Sequence, residues 1–263
     1  MHTGECATVD ILPSEDSGGI RFRFGERIYP VSEARRRDSQ RNTAIVFPGG
    51  EELATVEHLM AALAGMELHD ATVAVSGPEL PALDGSARDY VEQFMEAGIV
   101  EKSEEHAPLV LYTPLCVDWG RATIAALPSD ILRVTYVIDY PGTVLGTEMK
   151  DAAITPEIFR REIAPARTFA LLSEVEALMS SGLAQGGGLE NTVVVGEDRL
   201  LNDGGYRVEG ECAAHKVLDL LGDLALAGEI PRAHYVCIRG GHKLHSILAA
   251  RIAATMRNAG PHR

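Results

Sequence analysis

Glu211-Cys212-Ala213-Ala214-His215-Lys216-Val217-Leu218-Asp219-Leu220-Leu221-Gly222-Asp223-Leu224-Ala225-Leu226-Ala227-Gly228 is the most informative stretch of this sequence. Apolar residues fill most of it, so it reads as a helix buried on nearly every side. His215, Asp219 and Asp223 interrupt it at four-residue intervals. At about 100° per residue they fall at roughly 0°, 40° and 80° around the axis, with Lys216 near 100°. A narrow polar stripe on a buried helix needs partners, because unpaired charge in a core is costly. One reading is a solvated face, as any surface helix has. The other is a metal site, since His and Asp one turn apart can reach a single ion. The pair alone does not decide between them.

Two other segments bear on the choice. Thr55-Val56-Glu57-His58-Leu59 opens a second apolar helix, with Thr55 placed as its N-cap and Gly65 as its C′ residue. If His58 joins His215 and Asp219, two imidazoles and a carboxylate leave a coordination position open, the pattern of catalytic zinc. Glu57 beside it would then act as general base toward water. The plainer reading gives Glu57 a helix-dipole role and leaves His58 on the surface. Gly240-Gly241-His242 holds a histidine on a tight loop between a strand and a helix. That is a general acid, an anion binder when protonated, or an exposed turn. Gly186-Gly187-Gly188 lacks the Lys-Ser/Thr of a P-loop and reads as a turn.

The chain has 263 residues, which fits two domains or one large one. Apolar residues make up 46% and charged residues 24%, an ordinary globular balance that excludes disorder as the main state. Lys and Arg total 24 against 38 Asp and Glu, a net charge of -14 that argues against nucleic-acid binding. Cys6, Cys116, Cys212 and Cys237 form no C-x-x-C pair, so a reducing, cytoplasmic compartment is expected. No apolar run approaches the ~18 residues of a membrane span. No signal peptide is visible.

Alternation at Ala7–Ile11 and Ile20–Phe24 predicts two strands, joined as a hairpin by Ser17-Gly18-Gly19. Thr43–Phe47 and Ala71–Ser76 read as strands, and Val56–Ala64 and Ala87–Ala97 as helices. Glu101 to Pro108 is charged, ends in proline and reads as a linker. Beyond it come strands at Leu109–Val117, Arg121–Leu127, Leu132–Ile138, Thr192–Val195 and Ala233–Ile238. Helical patterns cover Pro156–Glu162, Leu171–Ser181, Glu211–Ala227 and Lys243–Ala259. The expectation is an α+β fold of two similar domains, 1–103 and 104–263, each a sheet packed against helices.

Several segments, in order, resemble one family. They are His2-Thr3-Gly4; Thr55-Val56-Glu57-His58-Leu59 with Ala61-Ala62-Leu63; and Gly77-Pro78-Glu79-Leu80-Pro81 with Leu83-Asp84-Gly85-Ser86. They continue with Ala166-Arg167-Thr168-Phe169; Gly182-Leu183-Ala184 with Gly186-Gly187; and Arg199-Leu200-Leu201-Asn202. Last are His215-Lys216-Val217-Leu218-Asp219 with Gly222-Asp223-Leu224, and Gly241-His242-Lys243-Leu244. Together they resemble the zinc-dependent UDP-3-O-acyl-N-acetylglucosamine deacetylases of lipid A biosynthesis. The resemblance implies an active site between two α+β domains. It implies that His58, His215 and Asp219 bind Zn²⁺, with Fe²⁺ as the alternative ion, and that Glu57 activates water. It implies that Thr168 donates to the oxyanion, that His242 is electrostatic stabiliser or general acid, and that Asp223 orients it. Lys216 would contact the diphosphate and Phe169 the sugar of an acylated UDP-sugar. An inserted βαβ piece at Asn191–Val208 would line an acyl passage. A cytoplasmic monomer without nucleic-acid partners is expected.

The sequence departs from the family pattern in three places. A strand is expected ahead of His2-Thr3-Gly4, where only Met1 stands: either the start codon is placed too late or the strand is absent, and if absent the first sheet gains a raw edge. The residue after Gly-His-x-Leu is His245 instead of Asn. Leu68-His69-Asp70 stands where Asp-Asn is usual. The last two are expected to alter substrate fit. The rival readings are a facial-triad iron oxygenase, a related zinc amidohydrolase on another acylated sugar nucleotide, and a non-catalytic binding paralogue.

Overall fold

The computed structural model describes residues 7–259 apart from 15, 38, 40, 103–106 and 181–184. The expectations for His2-Thr3-Gly4, the Gly182-Leu183-Ala184 segment and the centre of the linker lie outside those residues. Apolar alternation produces β1 (Val9–Pro13) and β2 (Ile20–Phe24), followed by β3 (Arg27–Pro30). β4 (Arg35–Arg37), β5 (Ala44–Val46) and β6 (Glu52–Ala54) form a separate antiparallel sheet. Then come α1 (Glu57–Gly65), β7 (Ala71–Val75) and α2 (Arg88–Ala97).

β1 and β2 are not a hairpin. β7 lies between them in the order β1-β7-β2-β3, antiparallel to β1 and parallel to β2. β7 reads Ala-Thr-Val-Ala-Val, with Ala71 and Val73 buried, and so apolar a strand belongs at the centre of a sheet. Asp70 secures the arrangement: its Oδ1 accepts from the Gly19 N–H at 2.8 Å, and its Oδ2 lies 2.9 Å from Lys102 Nζ. The variant Leu68-His69-Asp70 segment therefore serves the sheet through Asp70. β1 pairs with no second strand among the described residues.

The second half holds β8 (Leu115–Trp119), β9 (Ala122–Pro128), β10 (Arg133–Tyr140) and β11 (Gly146–Ala153). Next are α3 (Pro156–Ile158), a single π turn at Phe159–Ile163, β12 (Phe169–Leu171), α4 (Leu172–Ser180) and β13 (Val193–Val195). α5 (Glu211–Ala225), β14 (Ala233–Ile238) and α6 (His242–Ala259) complete it. The main sheet runs β11-β10-β14-β9-β8, with β10 and β14 parallel. β12 and β13 pair in parallel around α4, which makes a βαβ unit. That unit spans Phe169–Val195, not Asn191–Val208. Only its last strand lies in the expected range, because the first strand hides in the short motif Thr168-Phe169.

The fold is α+β, with sheets packed against helices. Among the described residues no strand before α2 pairs with a strand after it. The halves meet instead through α1 and α5, which pack against each other, with Leu59, Leu63, Leu218 and Leu221 fully buried. Two glycines set how closely they approach. A Cβ at Gly222 of α5 would sit 2.0 Å from the Glu57 carbonyl oxygen of α1. A Cβ at Gly65 would sit 2.3 Å from the Phe159 ring. Gly65 thus lies within α1 and makes room for a neighbour; the cap is Met66.

Alanine is the better helix former by about 1 kcal/mol, so Gly222→Ala would stabilise an unconstrained helix. Here it meets backbone, which cannot step aside as a flexible side chain can. The expected result is a loss of about 1–3 kcal/mol in thermal or urea unfolding, as in overpacked cores. A Tm at or above wild type would show that the two helices can separate freely.

Candidate metal centre and active site

The entry to α1 is a strained turn. Thr55 has φ 57°, and it does not cap the helix; Val56 occupies the N-cap without a side-chain bond. The Thr55 hydroxyl donates to Glu79 Oε1 at 2.9 Å and accepts from Asn42 Nδ2 at 3.1 Å. Ala54 N–H donates to Pro78 O at 2.8 Å, and Leu80 N–H to Ala54 O at 3.0 Å. The Gly77–Pro81 segment therefore fastens the turn that aims Glu57 and His58 inward. Both are buried, at 2% and 4% exposure, which excludes a surface role.

α5 supplies the other side. His215 Nδ1–H donates to Ala166 O at 3.0 Å, which leaves Nε2 as the bare nitrogen, 3.3 Å from Asp219 Oδ1. The Ala166 region is itself held by a buried ion pair. Glu211 accepts from Arg167 N at 2.9 Å, Nε at 2.8 Å and Nη2 at 3.1 Å, and from Arg207 N at 2.7 Å. The His58 and His215 rings stand edge to face, 5.1 Å apart. His58 Nδ1 is buried with no hydrogen-bond partner in the protein. A buried ring nitrogen without a partner is rare and calls for a ligand.

One ligand atom from each of His58, His215 and Asp219 lies within 4.8 Å of the others. Burial, aided by neighbouring His215, pushes the His58 imidazole down to about 3. Burial also lowers His215. Burial opposes ionisation of Asp219, but Lys216 and the surrounding histidines override it and hold its carboxyl well below the usual range. Neutral imidazoles beside an ionised carboxylate are the protonation state that metal binding requires. Asp223, His242 and His245 also converge. There, however, Asp223 Oδ2 already accepts from both Nδ1 atoms, at 2.7 and 2.8 Å. The atoms that bring this group together are spent on each other, whereas the first group holds a buried ring nitrogen without a partner.

Glu57 faces the same space. Burial pushes its carboxyl up to about 7; Asp219 and Asp223 add to this and His242 opposes it. Its Oε2 accepts from the Thr43 N–H at 3.1 Å. The Thr43 hydroxyl donates to Asp223 Oδ1, so one residue ties the two carboxylates together. Burial works against a charge on His242, but Asp223 and Asp219 outweigh it and raise the imidazole to about 9. His242 Nε2 lies 3.8 Å from Asp219 Oδ2.

Glu57, His58, His215, Asp219 and His242 line a pocket of about 150 Å³ together with Arg41, Tyr140, Thr168, Phe169, Glu174 and Lys216. Lys216 Nζ bonds Asp219 Oδ2 at 2.8 Å and sits 5.5 Å over the Phe169 ring. Thr168 is fixed through its backbone: its N–H donates to Gly85 O at 2.8 Å, and its carbonyl accepts from Val193 N–H at 2.8 Å. Arg41 Nη2 reaches Glu174 Oε2 at 2.7 Å, linking the segment before β5 to α4.

The family model described as UDP-3-O-acyl N-acetylglycosamine deacetylase matches residues 1–254. The chain belongs to this deacetylase family. It is similar to the curated UDP-3-O-acyl-N-acetylglucosamine deacetylase of Syntrophotalea carbinolica, 36% identical over 258 residues, 97% of this chain and 83% of that one. The enzyme of the same name from Thermosynechococcus vestitus is 37% identical, covering 96% of this chain and 89% of that one. That from a Nostoc species is 38% identical, covering 97% and 93%.

The nine deacetylase-family site residues expected from sequence, Glu57, His58, Thr168, Phe169, His215, Lys216, Asp219, Asp223 and His242, converge on this one pocket. Eight line it directly; Asp223 stands behind His242. Sequence reading missed Thr43, Arg41, Tyr140 and Glu174, which carry no motif of their own. His245 stood out only as a departure. It is fully buried beside Asp223 and is not among the residues that line the pocket. Removing a ligand gives the simplest test. Asp219→Ala is expected to weaken metal binding by on the order of a hundredfold or more, since even outer-shell changes cost 10–100-fold. Metal analysis after dialysis checks this; one equivalent retained in the variant would contradict the ligand set.

Proposed function

We propose that the chain hydrolyses the N-acetyl group of a UDP-3-O-acyl-N-acetylglucosamine, releasing acetate, as a committed step of lipid A biosynthesis. The observation that carries this reading is the convergence of His58, His215 and Asp219 with Glu57 in one pocket of a deacetylase-family chain. We take the resident ion as Zn²⁺, with Fe²⁺ the alternative that the same donors accept. Held by His58, His215 and Asp219, the ion supplies Lewis acidity, which brings the pKa of water to about 7 and polarises a carbonyl.

The chain's own residues do the rest. Glu57 takes a proton from water as the water oxygen adds to the acetamide carbon. The carbonyl electron pair moves to oxygen, where the Thr168 hydroxyl donates a hydrogen bond to the developing charge. The tetrahedral species collapses, the C–N bond breaks and the electron pair goes to nitrogen. Glu57 or His242 returns a proton to that amine, and acetate leaves. Asp223 keeps His242 oriented and charged. Lys216 meets the diphosphate and Phe169 the sugar ring. The wall of β12, α4 and β13, with Ala170 and Leu171 at the pocket and Leu172 and Leu189 exposed nearby, takes the acyl chain. With the ion held, Lys216 and His242 would make the site a positive spot in a chain of net charge -14.

Two domains, 1–103 and 104–263, would place this site at their junction, since α1 and α5 come from different halves. A cytoplasmic location fits the free Cys116, Cys212 and Cys237, and no helix among the described residues is long and apolar enough to cross a membrane. A monomer suffices for this site, because every residue in the scheme comes from one chain.

Purified protein is expected to release acetate from the acylated sugar nucleotide, to stop when chelated, and to recover with Zn²⁺. No turnover with metal present would refute the reading. Glu57→Ala should keep its metal and lose roughly 10²–10⁴ in kcat, the usual share of acid–base catalysis. Wild-type activity in that variant would refute the base. The base must be unprotonated and His242 protonated, so kcat/KM should rise with pH through the acid limb and fall through the alkaline one. The alkaline limb belongs above the ordinary imidazole range, because Asp223 holds the His242 proton. A flat profile across the neutral range would sink the pair.

A further inference from the structure

His245 has no part in the chemistry above, yet it is fully buried and fully bonded. It lies one turn after His242 at the start of α6, so the two imidazoles share a face. Both send Nδ1 to the same oxygen: His242 Nδ1 is 2.7 Å and His245 Nδ1 2.8 Å from Asp223 Oδ2. An ionised carboxylate only accepts, so both Nδ1 atoms carry protons. Behind His245, Nε2 lies 2.9 Å from the Tyr136 hydroxyl of β10. Burial holds His245 neutral, so Nε2 accepts and Tyr136 donates. The run Tyr136, His245, Asp223, His242 therefore converges on Asp223, which accepts from both imidazoles while Tyr136 closes the far side of His245.

Two features show that this run is built. A Cβ at Gly240 would lie 2.7 Å from the Tyr136 hydroxyl oxygen, and Gly240 does not have a left-handed φ that would otherwise ask for glycine. The first glycine of Gly240-Gly241-His242 thus clears the path by which Tyr136 reaches His245. On the opposite side, Thr43 donates to Asp223 Oδ1 and Arg36 Nη1 stands 3.8 Å from that oxygen. Asp223 is gripped from both sides and cannot rotate without breaking one of these contacts.

We infer that His245 is a positioning residue for the proposed deacetylation: it fixes the Asp223 carboxylate from behind, so that His242 Nε2 is aimed into the pocket. Tyr136 in turn fixes the His245 ring. The inference rests on the proposed reading for its kinetic consequence, but not for its hydrogen-bond geometry.

Three variants separate positioning from mere packing. The amide nitrogen of asparagine overlays imidazole Nδ1, so His245→Asn keeps the donor to Asp223. Glutamine carries its amide farther out, toward the Nε2 position, so His245→Gln keeps size and polarity but not that bond. His245→Leu keeps neither. The expected kcat falls by about 10–100-fold in His245→Gln and His245→Leu, the scale of lost outer-shell support. KM stays within about twofold, and His245→Asn recovers to within about threefold of wild type. Equal kcat in the Asn and Gln variants, or a kcat loss matched by KM, would overturn the inference. Nitrogen-15 NMR of histidine-labelled protein gives a readout that needs no turnover. His245, assigned by its loss in the Asn variant, should be neutral and protonated at Nδ1. An Nε2-protonated or doubly protonated ring at neutral pH would overturn the inference. Inactive wild-type protein with the expected His245 signal would refute the proposed function and leave the geometry standing.

Discussion

The site depends on one close crossing. α1 enters over α5 where Gly222 has no side chain, and the Glu57 carbonyl oxygen occupies the space a Cβ would need. His215, Asp219 and Asp223 project from α5 near that contact, while Glu57 and His58 open α1. A larger side chain at position 222 would push the helices apart and draw the donors of α1 away from those of α5. Gly222 lowers the intrinsic helix stability of α5, and the site is what that cost secures. The strained Thr55 backbone has the same logic. Its φ of 57° is unfavourable for a β-branched residue, and Asn42 and Glu79 hold it there.

Burying so many ionisable groups is costly unless each is satisfied. Most of the neighbourhood meets that condition within the protein. Asp223 accepts from His242, His245 and Thr43; Asp219 bonds Lys216; Glu211 takes Arg167 in a bidentate grip. The exception is His58, whose Nδ1 is buried without a partner. The contrast locates the ligand better than proximity alone does, since two His/Asp groups among the described residues are close enough to hold an ion. A closed network leaves an ion no ligand atom, whereas an unpartnered buried ring nitrogen offers one.

Much of this was legible in the sequence where periodicity was strong. α5 announced itself by length and by its polar stripe, and the ordered motifs carried the family. Other parts left no trace for physical reasons. β11 is an edge strand running Thr147-Glu148-Met149-Lys150-Asp151, polar enough to lack any alternation. β4 is three arginines, yet Arg36 turns inward to the His242 carbonyl at 2.6 Å. The apparent hairpin of β1 and β2 failed because sheet order is a long-range choice, and β7 was the more apolar candidate for the centre. The βαβ unit was misplaced because β12 is only three residues and sits inside a catalytic motif. Thr55 looked like a cap and is a strut; Gly65 looked like a stop and is a gap for Phe159. Thr43 could not be found at all, since a threonine at the entry to a strand is common and only the fold brings it to Glu57 and Asp223.

The central claim is that the crossing of α1 and α5 builds a single metal position from His58, His215 and Asp219. Crystals of the zinc-loaded protein, measured on either side of the zinc absorption edge, test this directly. The account predicts one anomalous peak bonded to those three side chains at about 2.0–2.2 Å, with Glu57 beside the open position. A peak held instead by Asp223, His242 and His245, or none in zinc-loaded active protein, would contradict it.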